Sequence, residues 1–368
     1  MRRSIALTAI ALAAAGAGAP LAAAAVEQRV PGWPRMALAM SGPTVVYSTA
    51  GATHIPANGG YNVYRTATFT VRMNRVGLVK GTRKDGVVLR TSAGTTTGGG
   101  LSGDATGRYV LLATGSGFSP QVIFCCRTNL KDYPVEASGR PDAPVTLTAA
   151  LQGPVVRYVT AAPDGTTQLA TRYVKDGPGE PFTRLDVRPL GARPIQNLIA
   201  SAPGTVAWVD QAAPGEVRLA VTPPGDPTPV AQPAIPVPGS VLRVLVTERM
   251  VAVLVQVFGE YQLVRYDVPE WKATIVWRGI DPPGPVAAGD RTIAIATGGV
   301  VRQHVPGQTL RTVFRLRGKA AAVATDGTRI AVLERIRTRT RRGLVRQSAI
   351  TVVPVKQPPA AYAQELAR

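Results

Sequence analysis

The feature that most constrains this chain is a short recurring pattern: a turn containing Gly or Asp, followed by a short apolar or alternating strand. Seven copies can be recognised, and they begin at Gly42, Gly107, Gly153, Gly204, Arg249, Asp290 and Gly327. From the second copy onward they lie roughly 40 to 50 residues apart, which is the period of four-stranded sheets in propellers. With Gly at 38 positions and Pro at 32, few long helices could form, so the sequence predicts an all-β repeat protein.

Two repeats show how each unit is built. The first divides into four strand-like segments, Pro144–Ala149, Pro154–Thr160, Gln168–Val174 and Phe182–Val187, and the second into Val241–Thr247, Met250–Phe258, Tyr261–Val268 and Ala273–Trp277. A lone four-stranded sheet cannot bury both of its faces, whereas stacked sheets in a closed ring can. Seven copies therefore predict a single β-propeller of seven four-stranded blades over residues 26–356. One or two β-sandwiches are the alternative, and the regular spacing favours the propeller.

The ring needs a closing strand and some irregular connections. The last copy lacks a fourth strand after Ser348–Val353, and Val26–Val30 is predicted to pair there. The long first interval predicts an extended loop near Thr49–Gly60 or Thr91–Gly100. The proline-rich stretch Thr222–Gly239 is predicted to be an exposed excursion between blades, either inert or a docking peptide.

Three copies carry a resemblance to a known family. The segment Ala324-Thr325-Asp326-Gly327-Thr328-Arg329-Ile330-Ala331-Val332 resembles the Ser-Pro-Asp-Gly-x-x-Ile-Ala-Phe repeat of TolB-type, WD40-like propellers. The stretch 102–110 resembles it too, with a small insertion, and 290–294 is a third, weaker copy. The other copies lack the Asp-Gly pair. The resemblance implies an exported propeller of the binding or scaffolding kind, in which Asp and Gly form a turn, and it transfers no active site.

The N-terminus predicts export. Arg2 and Arg3 precede an apolar and small-residue run that ends at Ala25, the pattern of a cleaved signal peptide. An uncleaved anchor is the alternative. The mature protein is expected in the periplasm, on the cell surface or outside the cell, with residues 357–368 as a short C-terminal tail.

The net charge suggests a class of partner. The formal charge is +20, from 42 Lys and Arg against 22 Asp and Glu. Such an excess favours contact with acidic glycans, teichoic-type polymers, anionic lipid head groups or nucleic acid. The alternative is a GC-rich genome, since Arg, Ala, Gly and Pro are all abundant.

No pattern in the sequence indicates catalysis, a metal or a cofactor. His54 and His304 are the two histidines, far apart in sequence, and no cluster of zinc ligands accompanies either. Ser116 lies in Gly115-Ser116-Gly117, which reads as a turn rather than a nucleophile elbow. We find neither the Ser-x-Asp-x-Gly-x-Thr-Trp box of propeller sialidases nor a calcium or phosphate loop.

Cys125 and Cys126 are the two cysteines and are adjacent. Neighbouring Cα atoms lie about 3.8 Å apart, closer than in ordinary disulfides, so a vicinal bond would be strained and reducible. Two interpretations stay open: a redox-sensitive vicinal disulfide, or one buried and one exposed thiol on a strand.

The candidate binding site is a basic hairpin near the C-terminus. Arg335, Arg337, Arg339 and Arg341 alternate, so they are predicted to share one face of a strand. Arg342 precedes Gly343 in the predicted turn, Arg346 adds to the local charge, and Glu334 opposes it. Guanidinium groups suit phosphate, sulfate and carboxylate. The structural alternative is an edge strand kept soluble by its charge.

These observations predict an exported, monomeric, non-catalytic propeller that binds a protein or an anionic envelope polymer, either a glycan or a lipid head group. The alternative is a propeller enzyme, a glycan hydrolase or lyase, with an unrecognised site in its central funnel. Nucleic acid is less favoured because no aromatic stacking partners lie in the basic hairpin.

Overall fold

The computed structural model describes residues 26–31, 38–41, 44–49, 61–73, 79–92, 100–103, 109–113, 121–124, 132–134, 144–174, 182–222, 228–268, 270–290, 292–341 and 343–355. Within these ranges every regular element is a β-strand. They contain no helix that is both long enough and apolar enough to cross a bilayer. The predicted signal peptide, the C-terminal tail, His54, Ser116 and the pair Cys125 and Cys126 lie outside them.

The described strands form seven antiparallel sheets, which we call blades 1 to 7 in chain order. The first strand, β1 (Val26–Pro31), belongs to the last sheet. Blade 1 comprises β2 (Leu38–Ser41), β3 (Thr44–Thr49), β4 (Tyr61–Met73) and β5 (Val79–Ser92). Blade 2 comprises β6 (Gly100–Gly103), β7 (Tyr109–Ala113), β8 (Gln121–Phe124) and β9 (Asp132–Pro134). Blade 3 comprises β10 (Val145–Gln152), β11 (Val155–Ala161), β12 (Thr167–Val174) and β13 (Phe182–Pro189).

The remaining four sheets repeat this order. Blade 4 comprises β14 (Pro194–Ala202), β15 (Thr205–Asp210), β16 (Ala213–Val221) and two short strands that both pair with β16, β17 (Val230–Ala231) and β18 (Ile235–Pro236). Blade 5 comprises β19 (Ser240–Val246), β20 (Met250–Val257), β21 (Glu260–Asp267) and β22 (Ala273–Gly279). Blade 6 comprises β23 (Val286–Gly289), β24 (Thr292–Thr297), β25 (Val300–His304) and β26 (Arg311–Arg315). Blade 7 comprises β27 (Lys319–Thr325), β28 (Arg329–Thr340), β29 (Gly343–Pro354) and β1.

The sheets close into a ring. Each blade's first strand contacts the first strand of the next blade, in the order β2, β6, β10, β14, β19, β23, β27 and back to β2. The fold is therefore an all-β propeller, as the repeat predicted. All seven copies of the sequence pattern lead into the second strand of a blade.

The second strands are recognisable in the sequence because the ring covers both of their faces. All six residues of β15 are buried, and so are the first five of β24. In the cluster between blades 4 and 5, Val209 and Leu219 pack with Val251 and Val253. A strand packed on both sides carries a continuous apolar run instead of an alternating one, which explains the recurring pattern.

The predicted closing strand is confirmed. The strand β1 pairs antiparallel with β29 along its whole length, from Val26 opposite Val352 to Pro31 opposite Gln347. Blade 7 thus takes three strands from the C-terminal end of the chain and its outermost strand from the N-terminal end. This pairing joins the two ends of the ring with main-chain hydrogen bonds.

Of two predicted connections, the extended loop of the first interval falls almost entirely outside the described residues, and the proline-rich stretch differs from the prediction. Part of the extra length in the first interval forms the long hairpin of β4 and β5, while residues 50–60 and 93–99 lie outside the described residues. The proline-rich stretch is not a free excursion, because β17 and β18 supply the outer edge of blade 4 and Ile235 is buried. An outermost strand tolerates proline because its outward N–H groups have no neighbour to pair with.

In each blade, the turn from the second to the third strand and the connector to the next blade lie at the same end of the strands. This follows because the strands are antiparallel and lie in chain order. We name this end of the ring the upper face. It includes the turns Phe258–Gly259 and Gly298–Gly299 and the turn that begins at Arg341.

Buried carboxylates hold two of the upper-face connectors. Glu334 is fully buried, and its Oε1 accepts hydrogen bonds from the backbone N–H of Arg317 at 2.6 Å and of Gly318 at 3.3 Å. The Arg317 guanidinium binds the other oxygen at 3.1 Å. Asp210 accepts the N–H groups of Arg193 and Ala212 in the same way. Burial by itself would raise the pKa of Asp210, but these backbone N–H groups hold it below its ordinary value.

Deleting β1 should weaken the whole ring. A chain that begins at residue 32 loses the six β1 pairs, so its melting temperature should fall by roughly 5–10 °C relative to a chain that begins at Val26. Thermal unfolding followed by circular dichroism measures the difference. Equal melting temperatures would show that the closure contributes nothing.

The Glu334→Gln substitution should lower the free energy of unfolding by about 2–4 kcal/mol, because an amide removes the charge and leaves Arg317 and Gly318 poorly satisfied. Urea unfolding measures this change. Glu216→Gln is the matched control: its ion pair with Arg218 spans 3.9 Å at an exposed site, so we expect a change below about 0.5 kcal/mol. An equally small effect at Glu334 would contradict its role.

Candidate functional site

The predicted basic hairpin is a two-stranded projection from blade 7. The last pair between β27 and β28 joins Lys319 and Arg335, and β1 ends opposite Gln347. Beyond these points β28 and β29 continue to pair only with each other, as far as Thr340 opposite Gly343. We name residues 336–347 the arginine ribbon. At about 3.3 Å per residue it extends roughly 15 Å past the body of the blade on the upper face.

The structure places the six predicted arginines in different settings. Arg335 is partly buried at the base of the ribbon, whereas Arg337, Arg339 and Arg341 are exposed. Arg346 lies opposite Arg337 in the ladder, but its side chain is outside the described residues, as is all of Arg342. The structure thus brings three exposed arginines together in the described part of the ribbon.

The predicted alternation is correct for Arg335, Arg337 and Arg339, because the β28–β29 register runs without a bulge through these positions. The prediction was wrong for Arg341. The strand ends at Thr340, whose hydroxyl donates to the Gly343 carbonyl at 3.0 Å, and Arg341 lies in the turn. A turn residue has no fixed face, so period two does not apply to it.

Glu334 does not neutralise the ribbon, although the sequence suggested that it opposes the arginines. It lies on the other face of β28 and is bound inside the protein to Arg317 and Gly318. The field at the exposed arginines is therefore more positive than the sequence alone suggested.

Sequence reasoning missed two cations on the inner strands of the ring. Arg243 lies in the middle of β19 and Lys319 at the upper end of β27, and both are exposed. A bulge between Val241 and Arg243 interrupts the pairing of β19 with β20. The surrounding protein desolvates the guanidinium and lowers the pKa of Arg243 from its ordinary value. The available signal was a single basic residue in each of two otherwise apolar inner strands.

The seven inner strands contain no Asp, Glu or His. In the part of the chain that the structure describes, no three His, Cys, Asp or Glu side chains come together as a metal site would require. The inner strands thus consist mainly of small and apolar residues, with Arg243 and Lys319 as their two cations.

His304 lies in the interface between blades 5 and 6. It is buried on β25, and Arg265 and Asp267 of β21 are the charged groups that act on it. Desolvation and the Arg265 charge lower its pKa to about 4, against a smaller opposing effect of Asp267. Arg265 is itself buried and its Nε donates to Asp267 at 2.7 Å. His304 is therefore a neutral packing residue at neutral pH.

The Asp-Gly motif forms a turn on the opposite face of the ring. Asp326 accepts the N–H groups of Thr328 and Arg329 at 2.9 and 2.7 Å, and the Arg329 guanidinium binds its second oxygen at 2.6 Å. The Thr292 hydroxyl of blade 6 donates to the Gly327 carbonyl at 3.1 Å. The motif therefore shapes the turn and links neighbouring blades.

Comparison with known proteins gives only distant structural similarities. No family model and no curated protein matches the sequence. Among solved structures, the chain is similar to the β-propeller domain of the Trilobed protease from Pyrococcus furiosus, at 10% identity over 89% of this chain and 100% of that chain, with a TM-score of 0.49. It is also similar to the WD40 repeats of RRP9, at 10% identity over 89% and 97% of the two chains, with a TM-score of 0.48.

A third similar structure is an oligogalacturonate lyase in complex with manganese, at 9% identity over 89% and 98% of the two chains, with a TM-score of 0.48. The similar structures thus include WD40 repeats, a domain of a protease and a lyase. Similarity this distant concerns the propeller fold and assigns no activity to this chain.

Stability should depend on pH through His304. The unfolded chain takes up a proton near the ordinary pKa of 6.5, while the folded protein resists protonation down to about 4. The free energy of unfolding should therefore fall as the pH drops below 6.5, by up to about 3 kcal/mol near pH 4. His304→Gln should lose this part of the dependence. Urea unfolding of both proteins at about pH 7 and about pH 5 measures it, and parallel curves would contradict the assignment.

Proposed function

We propose that this chain is an exported, non-catalytic propeller that binds an anionic component of the cell envelope, either a glycan or lipid head groups, through the arginine ribbon. The observation that carries the proposal is the projection of Arg337, Arg339 and Arg341 beyond the blade, all exposed. An anionic surface can reach these side chains without entering the central channel.

The spacing within the ribbon suits a repeating anionic ligand. Arg337 and Arg339 share a face and are two residues apart, which corresponds to about 7 Å along a strand. Each planar guanidinium can donate two parallel hydrogen bonds to a phosphate, sulfate or carboxylate. Charge on a free strand edge also prevents edge-to-edge aggregation, and a purely protective role predicts no ligand.

Export and kinship to TolB-type propellers belong to the same proposal. Cleavage near Ala25 would leave β1, which begins at Val26, intact to close the ring. The geometry of the Asp326–Gly327 turn supports the resemblance to the TolB-type repeat. A monomer in the envelope is the proposed state, with the ring as a rigid scaffold behind the ribbon.

An enzyme in the central funnel is the second candidate. A glycan hydrolase requires two carboxyl groups beside the scissile bond, and the inner strands supply none. The cations Arg243 and Lys319 of the inner strands favour an acidic substrate if this candidate is correct. Turnover of acidic oligosaccharides, lost on Arg243→Gln, would support it.

Replacing Arg337, Arg339 and Arg341 together by Gln should abolish salt-sensitive binding to a teichoic-type polymer or an acidic glycan. At low ionic strength we expect at least about tenfold weaker binding, because exposed charge contacts act over roughly one Debye length. Biolayer interferometry at low and high salt measures it. The control replaces Arg278, Arg311 and Arg315, three exposed arginines of outermost strands, and gives the same charge change.

Equal losses in the two triple variants would mean that general charge, not the ribbon, governs binding. No binding by the wild-type chain to any anionic polymer or membrane would overturn the proposed function.

A further inference from the structure

The fold does not require an aromatic residue at the position of Phe258. It forms the upper turn between β20 and β21 with Gly259, and its side chain is completely exposed. Both turn residues have positive φ, 48° at Phe258 and 86° at Gly259. Two-residue hairpin turns of this kind favour Asn, Asp or Gly at the first position, so Phe is disfavoured by its backbone and by its exposure.

A second apolar side chain accompanies Phe258 at the upper end of blade 5. Tyr261 pairs with Gly279, so the following residue, Ile280, lies beside the Phe258–Gly259 turn. Its side chain is 82% exposed. Gly279 leaves no room for a Cβ because the Trp277 ring fills that space, so Trp277 is held in the core while Ile280 projects to solvent.

The arginine ribbon presents a second apolar pair on the same end of the ring. Leu344 is 62% exposed and lies opposite Arg339, so a leucine and an arginine share one face of the ribbon. Val345, on the other face, is 36% exposed. We call the Phe258–Gly259 turn with Ile280, and the end of the ribbon with Leu344, the two apolar tips. Blade 6 lies between them, and its upper turn, Gly298–Gly299, has no apolar side chain.

From these tips we infer that the upper face docks on an anionic lipid bilayer, with Phe258, Ile280 and Leu344 in the interfacial layer and the ribbon arginines among the head groups. The inference rests on the proposed function and names the anionic surface. Proteins that bind at the membrane interface combine exposed apolar side chains with nearby arginines. The apolar side chains enter the layer below the head groups, and the arginines bind the anionic head groups.

A membrane fits this distribution better than a protein partner or a soluble polymer. Protein hot spots cluster near the centre of one interface in shared pockets, whereas these tips are separated by blade 6. A soluble glycan would use the arginines and leave Phe258 and Leu344 in water. A bilayer surface accepts separate apolar tips and adds attraction of about 1 kcal/mol for each nearby cation.

Vesicle flotation tests the inference with the chain that begins at Val26. The probes are vesicles of phosphatidylcholine alone and of phosphatidylcholine mixed with phosphatidylglycerol, at low and high salt. We expect binding to the mixed vesicles that weakens about fivefold or more with Phe258→Asn and similarly with Leu344→Ser, and more with both. Asn suits the turn, so Phe258→Asn should fold at least as stably as the wild type.

The control variants are Leu185→Ser and Ile275→Ser, which remove exposed apolar side chains from the outermost strands β13 and β22. They should leave vesicle binding unchanged. Binding that the double variant Phe258→Asn with Leu344→Ser retains in full would overturn the inference. Binding to a soluble anionic polymer but not to vesicles would also overturn it while the proposed function stands, and binding to neither would overturn both.

Discussion

Blades 3 to 7, for which the structure describes most side chains, each contribute to an apolar cluster on both faces, so the stability of each depends on the neighbours that cover it. Ala207 of blade 4 and Val253 of blade 5 are completely buried in the cluster between these two blades, and Ala294 of blade 6 is buried against blade 7. A ring satisfies this requirement only when it is closed. The pairing of β1 with β29 therefore matters beyond its own hydrogen bonds, because it joins the first and last parts of the chain in one blade.

The same closed ring decides where charge can be placed. Several acidic groups are used inside the structure: Glu334 and Asp210 hold connectors, Asp326 shapes a turn, and Asp267 neutralises the buried Arg265. These carboxylates are not available to balance exposed arginines. In a chain with 42 basic and 22 acidic residues, three of these four carboxylates are already paired with an arginine, so the excess positive charge is left to the other basic residues.

Much of the fold could be predicted because burial on both faces leaves a linear signature. The second strands carry apolar runs after turn residues, and β11, β20 and β28 lie where the repeats placed them. Outer strands lack a continuous apolar run, because their outward face is exposed to water. The short strands β17 and β18 were therefore not predicted within the proline-rich stretch. The β4–β5 hairpin was missed because its length departs from the repeat.

The candidate site was likewise only partly predictable from the sequence. Alternation along β28 is a local property, so the common face of Arg337 and Arg339 could be predicted. The setting of Glu334 depends on Arg317 and Gly318, which reach it through the pairing of β27 with β28 and not through local sequence. Phe258 gave no signal either, since a phenylalanine after an apolar strand suggests core until the turn geometry shows its exposure.

Composition alone could not separate a genome rich in arginine from a surface selected for anions, but the arrangement of the arginines can. A compositional excess would spread over the surface with no relation to exposed apolar groups. Here Arg339 and Leu344 face each other at the end of a projecting ribbon, and Phe258 occupies a disfavoured turn conformation at the same end of the ring. Edge protection accounts for the charge and not for the leucine or the phenylalanine, because exposed apolar tips oppose solubility. An anionic surface with an apolar interior accounts for all three side chains by one physical cause.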